Sequence, residues 1–164
     1  MSQPVIDTIT DFVTSIGLQV VRRPIEEETF LPGLLLENGK IIIDTDKLLY
    51  PGDILHEAGH LAAFDAHERK TIGNPLPDYS DGGFEMMALA WSYAACLHIG
   101  LAPSVVFHPD GYKGESDNIL GNFAEGRYIG VPMLQYLGLA YEKKKAIELN
   151  TLPYPNMVRW LRDT

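Results

Sequence analysis

His56-Glu57-Ala58-Gly59-His60 forms a His-Glu-x-x-His pattern inside a run that is predicted to be helical. On a helix the two histidines lie one turn apart, about 6 Å along the axis, and on the same face. Two imidazoles placed in this way can bind one zinc ion through bonds of about 2.0–2.1 Å. The neighbouring carboxylate of Glu57 is positioned to take a proton from a metal-activated water. The pattern therefore supplies two candidate ligands and a candidate general base.

A catalytic zinc site also needs a third protein ligand and an open position for water. Glu85 follows His60 in the first turns of a second predicted helix. The same helical face carries small and apolar residues, namely Ala88, Leu89, Ser92, Ala95, Cys96 and Ile99. Small side chains let two helices approach closely, and a carboxylate on such a face is costly unless it is paired or metal-bound. Glu85 is therefore the favoured third ligand, with exposure at a helix N-terminus as the alternative. Asp81, one turn earlier, could also be the ligand, although its position favours an N-cap.

Two stretches of the chain resemble a known family of zinc enzymes. A His-Glu-x-x-His helix followed at this distance by a Glu on a second helix is the gluzincin pattern. Residues 41–44, the break after them and residues 54–61 are similar to the ImmA/IrrE-type metallopeptidases. Residues 85–95 look like the second-helix segment of that family, where a Glu precedes an alanine-rich helix. The resemblance covers residues 40–96, roughly a third of the chain.

The resemblance assigns roles to four residues. In that family the two histidines and the Glu of the second helix bind zinc, and the Glu of the pattern is the base. Carried over by position, it implies that His56, His60 and Glu85 bind Zn²⁺ and that Glu57 is catalytic. It implies a hydrolase, a metallopeptidase, whose substrate is a peptide or protein.

The metzincin pattern fits less well. It needs a Gly three residues and a His six residues after the second His, and Ala63 and Ala66 occupy these positions. His67 comes one place late, and on a regular helix it lies about 10 Å along the axis from His60. We therefore do not expect His67 to share the ion.

The composition favours one soluble globular domain spanning residues 1–164. Charged residues make up 21% and hydrophobic residues 46% of the chain, unlike a disordered protein. The formal net charge of −9 argues against a nucleic-acid partner, because phosphate binding needs clustered Lys and Arg. Cys96 is the single cysteine, which excludes an internal disulfide and a cysteine–zinc cluster. We see no signal peptide and no apolar run long enough to span a membrane, so a cytoplasmic protein is expected.

The apolar periodicity predicts the α+β class. Helices are expected over residues 3–16, 54–66, 81 or 83 to 99, 116–125, 131–142 and 155–161, and a first strand over 18–22. The clearest hairpin covers residues 34–44, because Asn38-Gly39 suits a two-residue type I′ turn. We expect a zincin-like domain whose small antiparallel sheet packs on the helix of His56 and His60. The loop over 67–80 is expected to border the substrate cleft.

Further groups could support the site. Donors that could stabilise developing negative charge are His108, Tyr112, Arg127 and Tyr128. Zinc-bound imidazoles usually donate their second N–H to an acceptor, and the carboxylates available are Asp44, Asp46, Asp53 and Asp81. Asp53 is also a candidate N-cap for the helix that carries His56.

Two other functions stay open at the level of sequence. One is a metal-bound interaction or regulatory protein with little or no proteolysis, whose C-terminal third covers the site. The other is a metal-free structural domain with a coincidental pentapeptide. Zinc is inferred from the ligand types, and iron, cobalt or nickel could occupy the same set.

Overall fold

The computed structural model describes residues 3–73 and 83–163. Within these residues the strands are β1 (Gln19–Arg22), β2 (Leu34–Glu37) and β3 (Lys40–Ile43). The helices of the same part of the chain are α1 (Gln3–Ser15), α2 (Asp53–Ala62), α3 (Ala66–Arg69), α4 (Gly83–Ile99), α5 (Ser116–Ala124), α6 (Val131–Tyr136) and α7 (Lys143–Glu148). The chain is therefore of the α+β class, as expected. None of the helices in the described ranges is long and apolar enough to cross a bilayer.

The sheet has the order β1-β3-β2 and is mixed. β2 and β3 form the predicted hairpin, with φ of 50° at Asn38 and 76° at Gly39, which confirms the left-handed turn. β1 pairs with β3 in parallel, so the expectation of an antiparallel sheet is wrong for this strand. The order places β3 in the centre, where Ile41, Ile42 and Ile43 are all buried. The most apolar strand thus has both edges paired and both faces covered.

The two faces of the sheet bury different residues. One face joins the main core, to which the hairpin contributes Leu34, Leu36, Ile41 and Ile43. The other face forms a small cluster of Leu35 and Ile42 with Ile25. α2 contacts both hairpin strands, and α1 contacts β1 and α2. The helix of the His-Glu-x-x-His pattern therefore packs on the sheet as expected.

Small side chains let α4 pack closely against α2. A Cβ on Gly59 would lie 3.1 Å from the carbonyl oxygen of Ala88, so this position has little room for a larger residue. The hydroxyl of Ser92 donates to the carbonyls of Ala88 at 2.7 Å and Leu55 at 3.3 Å. Cys96 is fully buried, and burial raises the pKa of its thiol to about 12. The predicted face of small residues is therefore the face that meets the helix of the pattern.

The helix predicted over residues 54–66 is shorter than expected. α2 ends at Ala62, and the Asp65 carboxylate accepts a hydrogen bond from Glu68 N at 2.8 Å, which begins α3. A side chain that caps a new helix competes with continuation of the old one. His67 lies on α3 and is exposed. This position agrees with the prediction that His67 does not share a metal ion with His60. The loop expected over 67–80 begins inside α3, and its part from 74 to 80 lies outside the described residues.

The C-terminal third differs most from the expectation. The helix predicted over 131–142 ends at Tyr136, and α7 carries the exposed basic run of residues 143–145. The terminal helix predicted over 155–161 is absent. Its backbone bonds to other parts of the chain instead: Trp91 Nε1 donates to Trp160 O at 2.9 Å, and Val158 N donates to Leu139 O at 2.8 Å. Tertiary contacts therefore decide the conformation of this segment.

Asp44 follows β3, and its carboxylate holds the segment around Ile25, which precedes β2, through a hydrogen bond. Its Oδ2 accepts a hydrogen bond from Ile25 N at 2.9 Å, and its Oδ1 accepts one from Asp46 N at 3.1 Å. The hydrogen bond from Ile25 is the main reason that the pKa of Asp44 lies below its ordinary value, and it outweighs the opposing effect of burial. The ionised carboxylate therefore stabilises the folded chain.

Asp44→Asn is expected to lower the urea midpoint of unfolding at neutral pH. A carboxyl with a lowered pKa contributes stability above its unfolded pKa of about 3.9 and loses it as the pH falls through the folded pKa. The difference between variant and wild type should therefore shrink below about pH 4. Urea unfolding at neutral pH and at about pH 3 measures this, with the exposed Asp46→Asn as control. A difference equal at both pH values would contradict the role of the charge.

Candidate metal centre

The three side chains predicted as ligands meet in space. The Nε2 atoms of His56 and His60 lie 3.1 Å apart. Oε1 of Glu85 lies 3.2 Å from His56 Nε2, and Oε2 lies 3.0 Å from His60 Nε2. Both imidazoles are largely buried, whereas the Glu85 side chain is about half exposed. α2 supplies the histidines one turn apart, and the first turn of α4 brings the carboxylate across to both.

Glu57 belongs to the same cluster. Its carboxylate and the two imidazoles each offer one ligand atom, and these atoms lie within 4.8 Å of one another. Glu57 and Glu85 thus both approach the histidines, but only Glu85 has an oxygen within 3.2 Å of each Nε2. This contact with both rings favours Glu85 as the third ligand and leaves Glu57 beside the site.

The geometry and chemistry of the donor atoms fit a zinc ion. A tetrahedral ion with bonds of 2.0–2.1 Å separates its ligand atoms by about 3.3 Å, close to the 3.1 Å between the two Nε2 atoms and to the distance from each Nε2 to one of the two Glu85 oxygens. Two imidazole nitrogens and a carboxylate oxygen are also ligand types that zinc accepts. Nitrogen and oxygen atoms that carry lone pairs repel one another at such distances unless a positive charge lies among them. Either a proton or a metal cation must therefore compensate the cluster.

The ionisation of the cluster reflects its close charges. Burial favours a higher pKa for Glu85, but hydrogen bonds and attraction from both histidines outweigh it and hold the pKa far below its usual range. Burial favours a lower pKa for His56, but the hydrogen bond and charge of Glu85 raise it. Burial raises the pKa of Glu57, with the two histidines acting in the opposite direction. Glu57 is therefore a more basic carboxylate than Glu85.

Tyr112 completes the surroundings of His56. Its hydroxyl lies 3.1 Å from His56 Nδ1, and the two rings meet edge to face. Burial raises the pKa of Tyr112, so its hydroxyl is neutral. The sequence suggested Tyr112 as a donor to substrate and expected a carboxylate beside the histidines. The tyrosine occupies that place on His56 instead.

The predicted supporting carboxylates lie elsewhere. Asp44 bonds to the backbone, as described, and Asp46 is exposed. Asp53 is the first residue of α2 rather than its N-cap, which is Gly52, so that prediction is wrong. The Asp53 carboxylate instead lies 3.0 Å from His108 Nε2, because α2 starts one residue early and turns this side chain inward. Asp81 lies outside the described residues.

His108 is near the centre without touching the predicted ligands. Its ring stacks on that of Tyr50 with a centroid distance of 3.8 Å, a contact that the sequence did not indicate. Arg127 and Tyr128 are the predicted donors that the fold does not bring to the site. Arg127 is exposed and bonds to Asn122, and Tyr128 packs on Tyr154.

A pocket of about 560 Å³ opens beside the centre. His56, Glu57, His60 and Glu85 line it, together with Tyr112, Lys113 and the apolar residues Phe30, Leu31, Phe64, Phe84, Leu89 and Ile119. A neighbouring pocket of about 490 Å³ shares His56, Glu85 and Tyr112 and reaches His108. The predicted border, the loop over 67–80, contributes none of its described residues 67–73 to the lining of either pocket. The C-terminal part of the chain lines the pocket through residues 112, 113 and 119.

Comparisons of the chain with family models, with curated proteins and with solved structures found no match. The resemblance of residues 40–96 to the ImmA/IrrE-type metallopeptidases therefore stays a prediction. The contacts among His56, His60 and Glu85 are what support a metal centre in this chain.

Proposed function

We propose that this chain is a zinc-dependent hydrolase with a zincin-like fold, and that it cleaves peptide bonds. The observation that carries the proposal is the contact of His56 Nε2, His60 Nε2 and the Glu85 carboxylate at 3.0–3.2 Å. The donor types, their spacing and the adjoining pocket all support a catalytic rather than a purely structural ion. Structural zinc sites are usually closed by four protein ligands, whereas the proposed site takes three ligands from the described residues, keeps Glu57 beside them and opens into a pocket.

His56, His60 and Glu85 are the residues that would hold the metal. When bound, zinc lowers the pKa of a water towards about 7 and polarises a carbonyl. The two imidazoles are fixed by their burial and by their place on one helical turn. Glu85 adds the negative charge that offsets part of the charge of the cation.

Glu57 is the proposed general base. Its carboxylate lies beside the histidines without the double contact that Glu85 makes, and its raised pKa favours proton uptake. In the proposed reaction Glu57 takes a proton from the attacking water and delivers it to the nitrogen of the leaving amine. The carboxylate returns to its ionised form when the amine departs, so the protons balance over one cycle.

The pocket suits part of a peptide. Its six apolar lining side chains can bury an apolar side chain of a substrate, with a gain of about 25 cal/mol per Å² of surface removed from water. Phe30 is almost fully exposed at 91% and lies at the pocket. We therefore propose peptides or proteins as the substrate class.

Elemental analysis of the purified protein tests the proposal. We expect about one zinc per chain in wild type and much less in His56→Ala, because two ligands bind far more weakly than three. His67→Ala, which alters an exposed histidine on α3, is the matched control and should keep its zinc. The same analysis would detect iron, cobalt or nickel in place of zinc.

A peptide library then tests the reaction. Zinc-loaded wild type should cleave peptides, and removal of the metal with a chelator should abolish cleavage. Metal content equal in wild type and His56→Ala would contradict the proposed centre. Full zinc loading without cleavage of any peptide would instead favour the metal-bound interaction protein.

A further inference from the structure

Residues 108–114 form a loop, here called the 108–114 loop. Every second side chain of this loop, from residue 108 to residue 112, contacts α2 or the residues before it. His108 Nε2 lies 3.0 Å from the Asp53 carboxylate, and Tyr50 donates from its hydroxyl to Asp110 at 2.6 Å. The third contact is that of Tyr112 with His56. The loop therefore meets α2, or the residues before it, at every second position.

The backbone of the loop is strained where Tyr112 is placed. Tyr112 and Lys113 have φ of 55° and 54°, in the left-handed region that bulky residues rarely adopt. Such conformations cost free energy and persist only where surrounding contacts maintain them. The contacts here include those of the loop with α2 and the packing of the Tyr112 ring against Phe107. The position of the Tyr112 hydroxyl is thus imposed by the fold.

The Tyr112 hydroxyl influences which ring nitrogen of His56 carries the proton and which keeps its lone pair for a cation. Neutral imidazole carries one proton, and Nε2 can bind a cation only when that proton is on Nδ1. A largely buried Nδ1–H needs an acceptor, since an unpaired buried donor costs free energy. The neutral hydroxyl of Tyr112 lies at 3.1 Å and can accept that hydrogen bond.

We propose that Tyr112 is a positioning residue of the metal centre. Its hydroxyl accepts a hydrogen bond from Nδ1–H of His56 and so keeps the Nε2 lone pair directed at Glu85 and His60. This inference rests on the proposed function, because it assumes that Nε2 binds a cation. Without the acceptor, the proton moves to Nε2, where it pairs with Glu85 and competes with the metal.

Tyr112→Phe tests the inference because it removes the hydroxyl and keeps the ring. We expect the zinc dissociation constant to rise by about 10- to 100-fold, the usual effect of losing an outer-shell partner of a ligand. The ¹⁵N chemical shifts of His56, measured by long-range ¹H–¹⁵N NMR, should show a protonated Nδ1 in zinc-loaded wild type. The Nδ1 shift should also change between wild type and Tyr112→Phe in the metal-free proteins.

Two tyrosine variants are matched controls. Tyr128→Phe alters a half-buried tyrosine that packs away from the centre, on Tyr154. Tyr50→Phe removes a different fastening of the 108–114 loop and leaves the hydroxyl of Tyr112 in place. Tyr128→Phe should bind zinc as wild type does and keep the His56 shifts. Tyr50→Phe should change zinc binding and the His56 shifts less than Tyr112→Phe does, and its effect measures what a loosened loop alone contributes.

The outcomes distinguish this inference from the proposed function. If wild type binds zinc and Tyr112→Phe binds it equally well, the positioning role is wrong while the metal centre stands. An unchanged His56 Nδ1 shift in Tyr112→Phe would also overturn the role, because the hydrogen bond would then be absent. If wild type binds no zinc at all, both proposals fail together.

Discussion

Glu57→Gln is expected to retain zinc and to reduce peptide hydrolysis by about 10²- to 10⁴-fold, the usual contribution of a general base. The amide of Gln has nearly the shape of the carboxylate but cannot take up a proton at neutral pH. Because the contacts of His56 and His60 with Glu85 do not involve Glu57, the metal should stay bound. Loss of activity with full metal content is therefore the signature of a base.

The measurement combines kcat/KM on a cleaved peptide with zinc content in the same preparation. Glu28→Gln, which makes the same change at an exposed position, should match wild type in both. Thermal unfolding of each variant verifies that the fold is kept. If Glu57→Gln cleaves as fast as wild type, Glu57 is not the base. A variant that loses zinc as well as activity would make Glu57 a ligand.

The local features of the chain were predictable because their signals lie within a few residues. A type I′ turn at Asn38-Gly39 requires positive φ at both residues, and both residues have positive φ in the structure. The apolar spacing of residues 3–16 gave α1 to within one residue at its end. The approach of Glu85 to the two histidines could also be predicted from the sequence, since helical geometry and a face of small residues predict that α2 and α4 meet. Each of these inferences needs only the period of an element.

The features that the sequence did not reveal depend on contacts between distant residues. β1 joins β3 rather than its neighbour in the chain, because the strand with the most buried isoleucines takes the centre of the sheet. Tyr112 reaches His56 from a loop with no periodic pattern, in a backbone conformation that its residue type does not favour. The pairing of Asp53 with His108 likewise has no local signal. The positive φ of Tyr112 is maintained by contacts with residues distant in sequence, such as His56, which a local pattern does not reveal.

Glu85→Ala is expected to weaken zinc binding by more than about 100-fold, because it removes a ligand of the ion. Loss of a residue that only hydrogen-bonds to a ligand typically weakens binding by about 10- to 100-fold. Glu85 is the residue that joins α4 to the histidines, with oxygens 3.2 Å from His56 Nε2 and 3.0 Å from His60 Nε2. The two histidines alone would supply only two of the four ligands of a tetrahedral zinc ion. Zinc content after dialysis, together with competition against a chelator of known affinity, measures the change.

The fold should survive the substitution of Glu85. Its side chain is about half exposed, and its carboxylate contributes to the metal-free fold through the helix dipole and through its contacts with the two histidines. A metal-free Glu85→Ala protein that still unfolds in one cooperative transition, with a large loss of zinc affinity, would therefore assign the effect to ligation. Glu85→Gln should fall between Ala and wild type, because its carbonyl oxygen can still approach the cation without the charge.

Asp81→Ala is the decisive companion variant, since Asp81 is the other carboxylate that the sequence offers from this region. If Glu85 is the third ligand, Asp81→Ala keeps wild-type zinc affinity and Glu85→Ala loses it. The reverse result would transfer the ligand role to Asp81 and leave Glu85 as a hydrogen-bond partner of the histidines. Wild-type affinity in both variants would mean that the ion is held without either carboxylate, and the arrangement proposed for hydrolysis would have to be abandoned.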